Sequence, residues 1–223
     1  MKKTPIYGTS FHYSDQAGAD YLAWQDALGE INGELDSRKF KKFDFTNSTL
    51  LDFGCGTGNL LKNLRAKESI AVEVNLHAHS KLKQNNFEVH ETIETVPANY
   101  VDFVISHHSL EHVPFPIAAL IQMRRVLKTS GQLILVVPID DYRNGKKFDP
   151  TDINHHLNTW NPQLIGNTLI EAGFEVKPDD IKILNHAWFP FYDRFYKYPF
   201  FDLLCKTWSI IRRRRQIIVI VSK

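Results

Sequence analysis

The chain has 223 residues, 43% hydrophobic and 23% charged, a balance that suits a folded domain and excludes disordered or low-complexity classes. Its 27 Lys and Arg against 25 Asp and Glu leave a formal charge of +2, too little to imply a nucleic-acid partner, and no apolar run approaches the ~18 residues that cross a bilayer. Two cysteines, Cys55 and Cys205, cannot build a disulfide scaffold, and Met1 to Gly8 lacks the apolar core of a signal peptide, so a cytoplasmic location is expected.

In chain order, residues 14–43 place Tyr21, Trp24, Leu28, Ile31 and Leu35 at helical spacing, which predicts a helix packed over a sheet. From residue 49 strands and helices alternate. Strands are predicted at 49–53, 70–74, 87–90, 101–105 and 132–137, with helices at 59–67, 76–85 and 114–127 between them. Residues 138–158 carry Asp, Asn, Gly and Pro without periodicity and read as a long loop, a length usually associated with function. Asn161-Pro162 supplies an N-cap and first-turn proline for a helix that Gly173 stops. Strand material follows at 174–176 and 181–184, and a last strand at 216–221. The alternation implies a doubly wound α/β sheet.

Between the first strand and its helix lies Asp52-Phe53-Gly54-Cys55-Gly56-Thr57-Gly58-Asn59. Glycines there let backbone N–H groups approach an anionic ligand group, but the dinucleotide fingerprint would place glycine at position 59. The spacing Asp52-x-Gly54-x-Gly56-x-Gly58 resembles motif I of the class I S-adenosylmethionine-dependent methyltransferases. The resemblance covers about residues 48 to 177. It implies a Rossmann-like doubly wound seven-stranded sheet, mostly parallel with an antiparallel last strand, and S-adenosylmethionine as cofactor. Glu73, at the end of the second strand, would accept hydrogen bonds from the ribose hydroxyls. Glu91, with Thr92 and Ile93, resembles the family's adenine-contacting segment, and Ser106 and His107 follow the fourth strand where cofactor and substrate meet.

The run His108-Ser109-Leu110-Glu111-His112-Val113 looks like the branch that contains ubiquinone-biosynthesis and other small-molecule and glycan O-methyltransferases. His108, Glu111 and His112 stand at i, i+3 and i+4, a spacing open to a divalent-metal reading. Glu111 and His112 capping the next helix is the favoured reading, and no metal ligand is assigned. His156 resembles the histidine that relatives place before the last large helix. His156 and His108 are the candidate catalytic residues, each able to take a proton from a hydroxyl, with a loop-bracing role the alternative for His156. The acceptor is expected between Ser106–His112, the 138–158 loop and the residues around Tyr21, Trp24 and Gln25.

Ten of the chain's 27 aromatic residues lie between His186 and Ser209, followed by Arg212-Arg213-Arg214-Arg215. A lid, a subunit interface or simple packing would explain them, and so would a peripheral contact with an anionic membrane. The expected organisation is one methyltransferase domain with a helical cap at 1–47, a cofactor-binding core at 48–185, an aromatic and basic insertion at 186–215 and a last strand at 216–223. Its acceptor would be a small molecule, a glycan or a lipid-linked compound, methylated at oxygen. The rival readings are a noncatalytic S-adenosylmethionine-binding protein and, with a different glycine spacing, a nicotinamide-dependent oxidoreductase.

Overall fold

A computed structural model describes residues 10–139 and 148–223. Seven strands, β1 (Thr49–Phe53), β2 (Glu68–Val72), β3 (Glu88–His90), β4 (Val101–His107), β5 (Leu127–Ile139), β6 (Ile181–Asn185) and β7 (Arg215–Ser222), form one sheet in the order β3-β2-β1-β4-β5-β7-β6. β1 to β5 pair in parallel, and β7 inserts antiparallel between β5 and β6. The doubly wound seven-stranded sheet with an antiparallel last strand is therefore observed. The strand order reverses between β1 and β4, and such a reversal opens a crevice at the carboxyl ends of the strands.

The helices are α1 (Asp15–Asp26), α2 (Gly29–Ser37), α3 (Asn59–Asn63), α4 (His79–Gln84), α5 (Pro116–Val126), α6 (Pro162–Glu171), α7 (Tyr192–Phe195) and α8 (Phe201–Ile211). Alternation along the central strands feeds a core on each face of the sheet. Leu51, Val104, Leu133 and Leu135 pack with α5 and α6, whereas Leu50, Ile105, Ile134 and Val136 pack with α3 and α4. Pro116 starts α5 and Asn161 caps α6 through its side-chain oxygen, which accepts from the Leu164 N–H at 2.8 Å.

Several expectations change. The N-terminal helix is two helices, because Leu28 leaves helical geometry and turns the chain. Gly33 of α2 then lies so close to α3 that a Cβ there would stand 2.4 Å from the Asn59 carbonyl oxygen. Leu35 is buried, but Trp24 is half exposed and faces a cavity rather than the sheet. The second strand ends at Val72, which puts Glu73 just beyond it. β5 begins at Leu127, ahead of Gly131, because a register shift between Val101 and Phe103 on β4 lets both halves pair. Residues 174–176 make no strand: the Phe174 N–H donates to the Leu169 carbonyl at 3.0 Å, completing the end of α6. Of the expected 138–158 loop, Pro138 and Ile139 belong to β5 and residues 140–147 lie outside the described residues, as does Met1 to Gly8.

Candidate active site

At the carboxyl end of β1 the chain turns through Gly54, Cys55 and Gly56. Gly56 holds a φ of 56°, and a Cβ on it would meet Gln25 Oε1 at 2.5 Å, so the turn requires glycine. Its N–H donates to Glu73 Oε2 at 2.7 Å, and the Asn75 N–H donates to Glu73 Oε1 at 2.8 Å. Glu73 thus ties the loop after β1 to the loop after β2. Burial pushes its carboxyl up, and those backbone N–H groups offset part of the shift. Asp52 is also buried, and its Oδ2 has no hydrogen-bond partner. Burial, and then the charge of Glu73, pushes the Asp52 carboxyl up to about 8. Asn75 Nδ2 donates to the Gly18 carbonyl at 2.8 Å, and Asp26 binds Lys81 at 2.7 Å, which docks the N-terminal helices over this loop.

Under those helices lies a cavity of about 700 Å³, within the size range of small-molecule sites. Asp52, Gly54, Gly56 and Glu73 are among the residues that line it. Tyr13, His108, Glu111, His112 and His156 line it as well. The Tyr13 hydroxyl lies 2.6 Å from His112 Nδ1, and the His112 and His156 ring centroids are 4.7 Å apart. Neither oxygen of the buried Glu111 carboxylate has a hydrogen-bond partner; the nearest ring nitrogens are His108 Nδ1 at 3.5 Å and His112 Nε2 at 4.0 Å. Burial pushes the Glu111 carboxyl up, but the adjacent His108 and His112 rings outweigh it and hold it below the usual glutamate value. His108 Nε2 lies 3.0 Å from Gln216 Oε1, and its Nδ1 faces Glu111. His108 and His155 are both non-glycine residues in the left-handed region, at φ 53° and 49°, a conformation concentrated at functional sites.

A third wall joins α2 to the segment after β6. Lys39 Nζ donates to Asp36 Oδ1 at 2.6 Å and to His107 Nε2 at 2.8 Å, and sits 5.4 Å from the Trp188 ring centroid. Burial, with Lys39 adding to it, holds His107 well below the ordinary histidine value. Leu35 packs with Phe201, Cys205, Trp188, Phe189, Tyr192 and Tyr196, so the first half of the aromatic segment is partly a core against α2.

Of the residues named from sequence, Asp52, Gly54, Gly56, Glu73, His107, His108 and His156 line the cavity, together with Tyr21, Trp24 and Gln25. Gly58, Glu91, Thr92, Ile93 and Ser106 do not. Gly58 packs against Leu82 and Phe87, Ile93 is in the core and Glu91 is exposed. Ser106 is buried with its Oγ 2.6 Å from Ser109 Oγ, which in turn donates to the Phe53 carbonyl at 2.7 Å. Tyr13, Asp36 and Gln216 line the cavity although nothing in their sequence context marked them, and Lys39 stands behind it on His107. Tyr13 and His112 are 99 positions apart, a pairing no local pattern encodes.

The methyltransferase domain family matches residues 27–178, more than half of the chain. The chain belongs to that family. This methyltransferase is 33% identical over 111 residues to an uncharacterized protein of Methanocaldococcus jannaschii, a match covering 48% of this chain and 49% of that one. The matched segment spans about half the length of that curated relative. Among solved structures, an S-adenosylmethionine-dependent methyltransferase from Archaeoglobus fulgidus superposes with a TM-score of 0.62 at 19% identity, covering 91% of this chain and 99% of the other. A second from Thermotoga maritima gives 0.67 at 18% identity, covering 96% and 100%. At those identities the likeness establishes the fold.

The residues present fit S-adenosylmethionine as the cofactor. A glycine turn with no room for a Cβ leaves backbone accessible, Glu73 retains lone pairs for two hydroxyls, and the unpartnered Asp52 oxygen suits a cationic group.

Proposed function

We propose that this methyltransferase moves a methyl group from S-adenosylmethionine to a hydroxyl oxygen of a small-molecule, glycan or lipid-linked acceptor, with Asp52, Gly54, Gly56 and Glu73 holding the cofactor. The observation that carries the reading is one cavity lined both by those residues and by the imidazoles of His108 and His156. Bound S-adenosylmethionine supplies a methyl already activated on a sulfonium, so alignment of the acceptor accounts for most of the acceleration. The acceptor oxygen forms a bond to the methyl carbon as the carbon–sulfur bond breaks, and that electron pair stays on sulfur. The hydroxyl proton passes to His108 or His156. Tyr21, Trp24 and Gln25 cover the cavity and limit water.

A lipid-linked acceptor is favoured by α8. Phe201, Cys205 and Ser209 bury one face of this helix. Leu203, Leu204, Ile210 and Ile211, together with Phe200 just before it, form a second apolar stripe that stays exposed. Residues 191–215 also carry Arg194, Lys197, Lys206 and Arg212 to Arg215 against Asp193 and Asp202 only, the charge an anionic bilayer surface attracts. Trp188, Tyr192, Arg214 and Arg215 line the cavity, so the same segment reaches both the surface and the site. Among the described residues no helix is long and apolar enough to cross a membrane, and the contact proposed is peripheral.

The test uses S-adenosylmethionine labelled with ¹³C in its methyl group, incubated with enzyme and lipid or metabolite extracts. A product methyl resonance at the shift of a methoxy carbon supports the reading. Label found only on nitrogen or sulfur refutes transfer to oxygen.

A further inference from the structure

We propose that Arg214 and Arg215 bind a phosphate group of the acceptor close to His108, so that the acceptor is a hydroxyl-bearing phosphate ester. This identification rests on the hydroxyl-transfer reading above. Among the described residues that line the cavity, these two are the permanent cations. Topology brings them there. β7 runs antiparallel to β5, and Arg215, its first residue, stands in register with Ile139, the last residue of β5. The start of β7 therefore lies at the carboxyl ends of the parallel strands, where sites in such sheets open. The next residue, Gln216, is buried and places its Oε1 3.0 Å from His108 Nε2, so both arginines stand within two residues of the contact to that imidazole. Arg214 is also tied to the segment after β6, because the His186 N–H donates to its carbonyl at 3.1 Å.

The charges around them favour an anion. Asp36, the acid of α2 that lines the cavity, is held by Lys39 at 2.6 Å. Burial, and then Lys39, holds His107 and His186 well below the ordinary histidine value, so both imidazoles stay neutral. Two guanidiniums then set the sign of this wall, and their planar donor forks match the oxygens of a phosphate. Asn32 supplies an independent sign of a hydroxyl on the same ligand. It lines the cavity, and its Oδ1 is buried without a hydrogen-bond partner. A buried amide oxygen in that condition is costly, and an acceptor hydroxyl provides the missing donor.

Enzyme saturated with S-adenosylhomocysteine, which keeps the cofactor's own place filled, is titrated by calorimetry with inorganic phosphate, glycerol phosphate, glycerate and monomeric dihexanoyl phosphatidylglycerol. Wild type is expected to bind glycerol phosphate more tightly than phosphate or glycerate. Arg214→Gln with Arg215→Gln is expected to weaken every phosphate ligand by more than about tenfold, with S-adenosylhomocysteine affinity and circular dichroism unchanged. Arg212→Gln with Arg213→Gln, which alters the exposed arginines just before them, keeps wild-type affinity for glycerol phosphate. Asn32→Leu keeps phosphate binding and removes the advantage of glycerol phosphate over it. Tighter binding of dihexanoyl phosphatidylglycerol than of glycerol phosphate supports the site and assigns it to a lipid headgroup; the reverse order supports it with a soluble phosphate ester. The site is overturned by absence of phosphate binding in wild type, by preference for glycerate, or by equal loss in the two arginine double variants. It is overturned equally if Arg214→Gln with Arg215→Gln loses S-adenosylhomocysteine affinity as strongly as phosphate affinity, since the arginines would then serve the cofactor's carboxylate. Phosphate binding as stated, with methylation only at nitrogen, leaves the phosphate site standing and removes the hydroxyl reading instead.

Discussion

Replacing Glu73 with alanine removes one carboxylate that does two jobs. Its oxygens accept from the Gly56 and Asn75 N–H groups at 2.7 and 2.8 Å, and their remaining lone pairs are available to ribose hydroxyls. Hydrogen bonds to a charged group contribute roughly 1.5–3 kcal/mol, so losing the ribose contact alone should weaken S-adenosylmethionine about 10- to 140-fold. Each backbone N–H left without an acceptor adds roughly 1–3 kcal/mol of destabilisation, localised at the loop that the cofactor must meet. Glu73→Gln separates the two effects. It keeps the volume and one acceptor oxygen, but its amide must face an N–H, so its affinity loss should fall near the lower end of that range. The assay is titration calorimetry with S-adenosylmethionine and S-adenosylhomocysteine, at a temperature where circular dichroism shows each variant folded. A folded Glu73→Ala protein with wild-type affinity for both would refute the placement of the cofactor.

Asp52 predicts a pH effect of definite sign. Its folded-state value of about 8 lies above that of an unfolded aspartate, so its contribution to stability is full below about pH 4 and is lost as pH rises through about 8. Melting of the cofactor-free protein should therefore fall more steeply between these limits for wild type than for Asp52→Asn; parallel curves would refute the assignment. Gly33→Ala forces a methyl against the Asn59 carbonyl, and an overpacked contact costs about 1–3 kcal/mol, so a lowered melting temperature and weaker cofactor binding are expected together. An unchanged protein would show that α2 does not seat on α3. Leu203→Ser with Ile210→Ser, and separately Arg212→Gln with Arg213→Gln, should each reduce cosedimentation with anionic liposomes, and added salt should affect the wild type in the same direction. Equal sedimentation of all forms, or none at low salt, contradicts the membrane surface.

How much of this was readable beforehand depends on the range of each interaction. The β1–glycine loop–α3 unit and the acid after β2 are local, and hydrophobic alternation identified most central strands. The break at Leu28 was hidden because the apolar spacing continues across it while the backbone does not. The early start of β5 was hidden by Thr129-Ser130-Gly131, which has turn composition but pairs as strand once β4 shifts register. Glu111 and His112 were visible as a motif. Their grouping with His156 and Tyr13 depends on the loop at 154–158 folding back onto Glu111, and no sequence periodicity reports that. Lys39 carries no local signal, and its place against His107 follows from the turn after α2 meeting the end of β4. The aromatic segment divided in a way composition could not foretell, part core with Leu35 and part exposed stripe.

The central claim is that the glycine-loop residues and the histidines lining one cavity work together in turnover. The most direct measurement follows S-adenosylhomocysteine formation in stoichiometric step with methyl label appearing on an acceptor from a lipid or metabolite extract. Wild type should give both, and His108→Ala combined with His156→Ala should retain S-adenosylmethionine binding while losing acceptor methylation. Tight S-adenosylmethionine binding by wild type with no label leaving the cofactor, across extracts and added divalent ions, would contradict the claim and identify a noncatalytic binding protein.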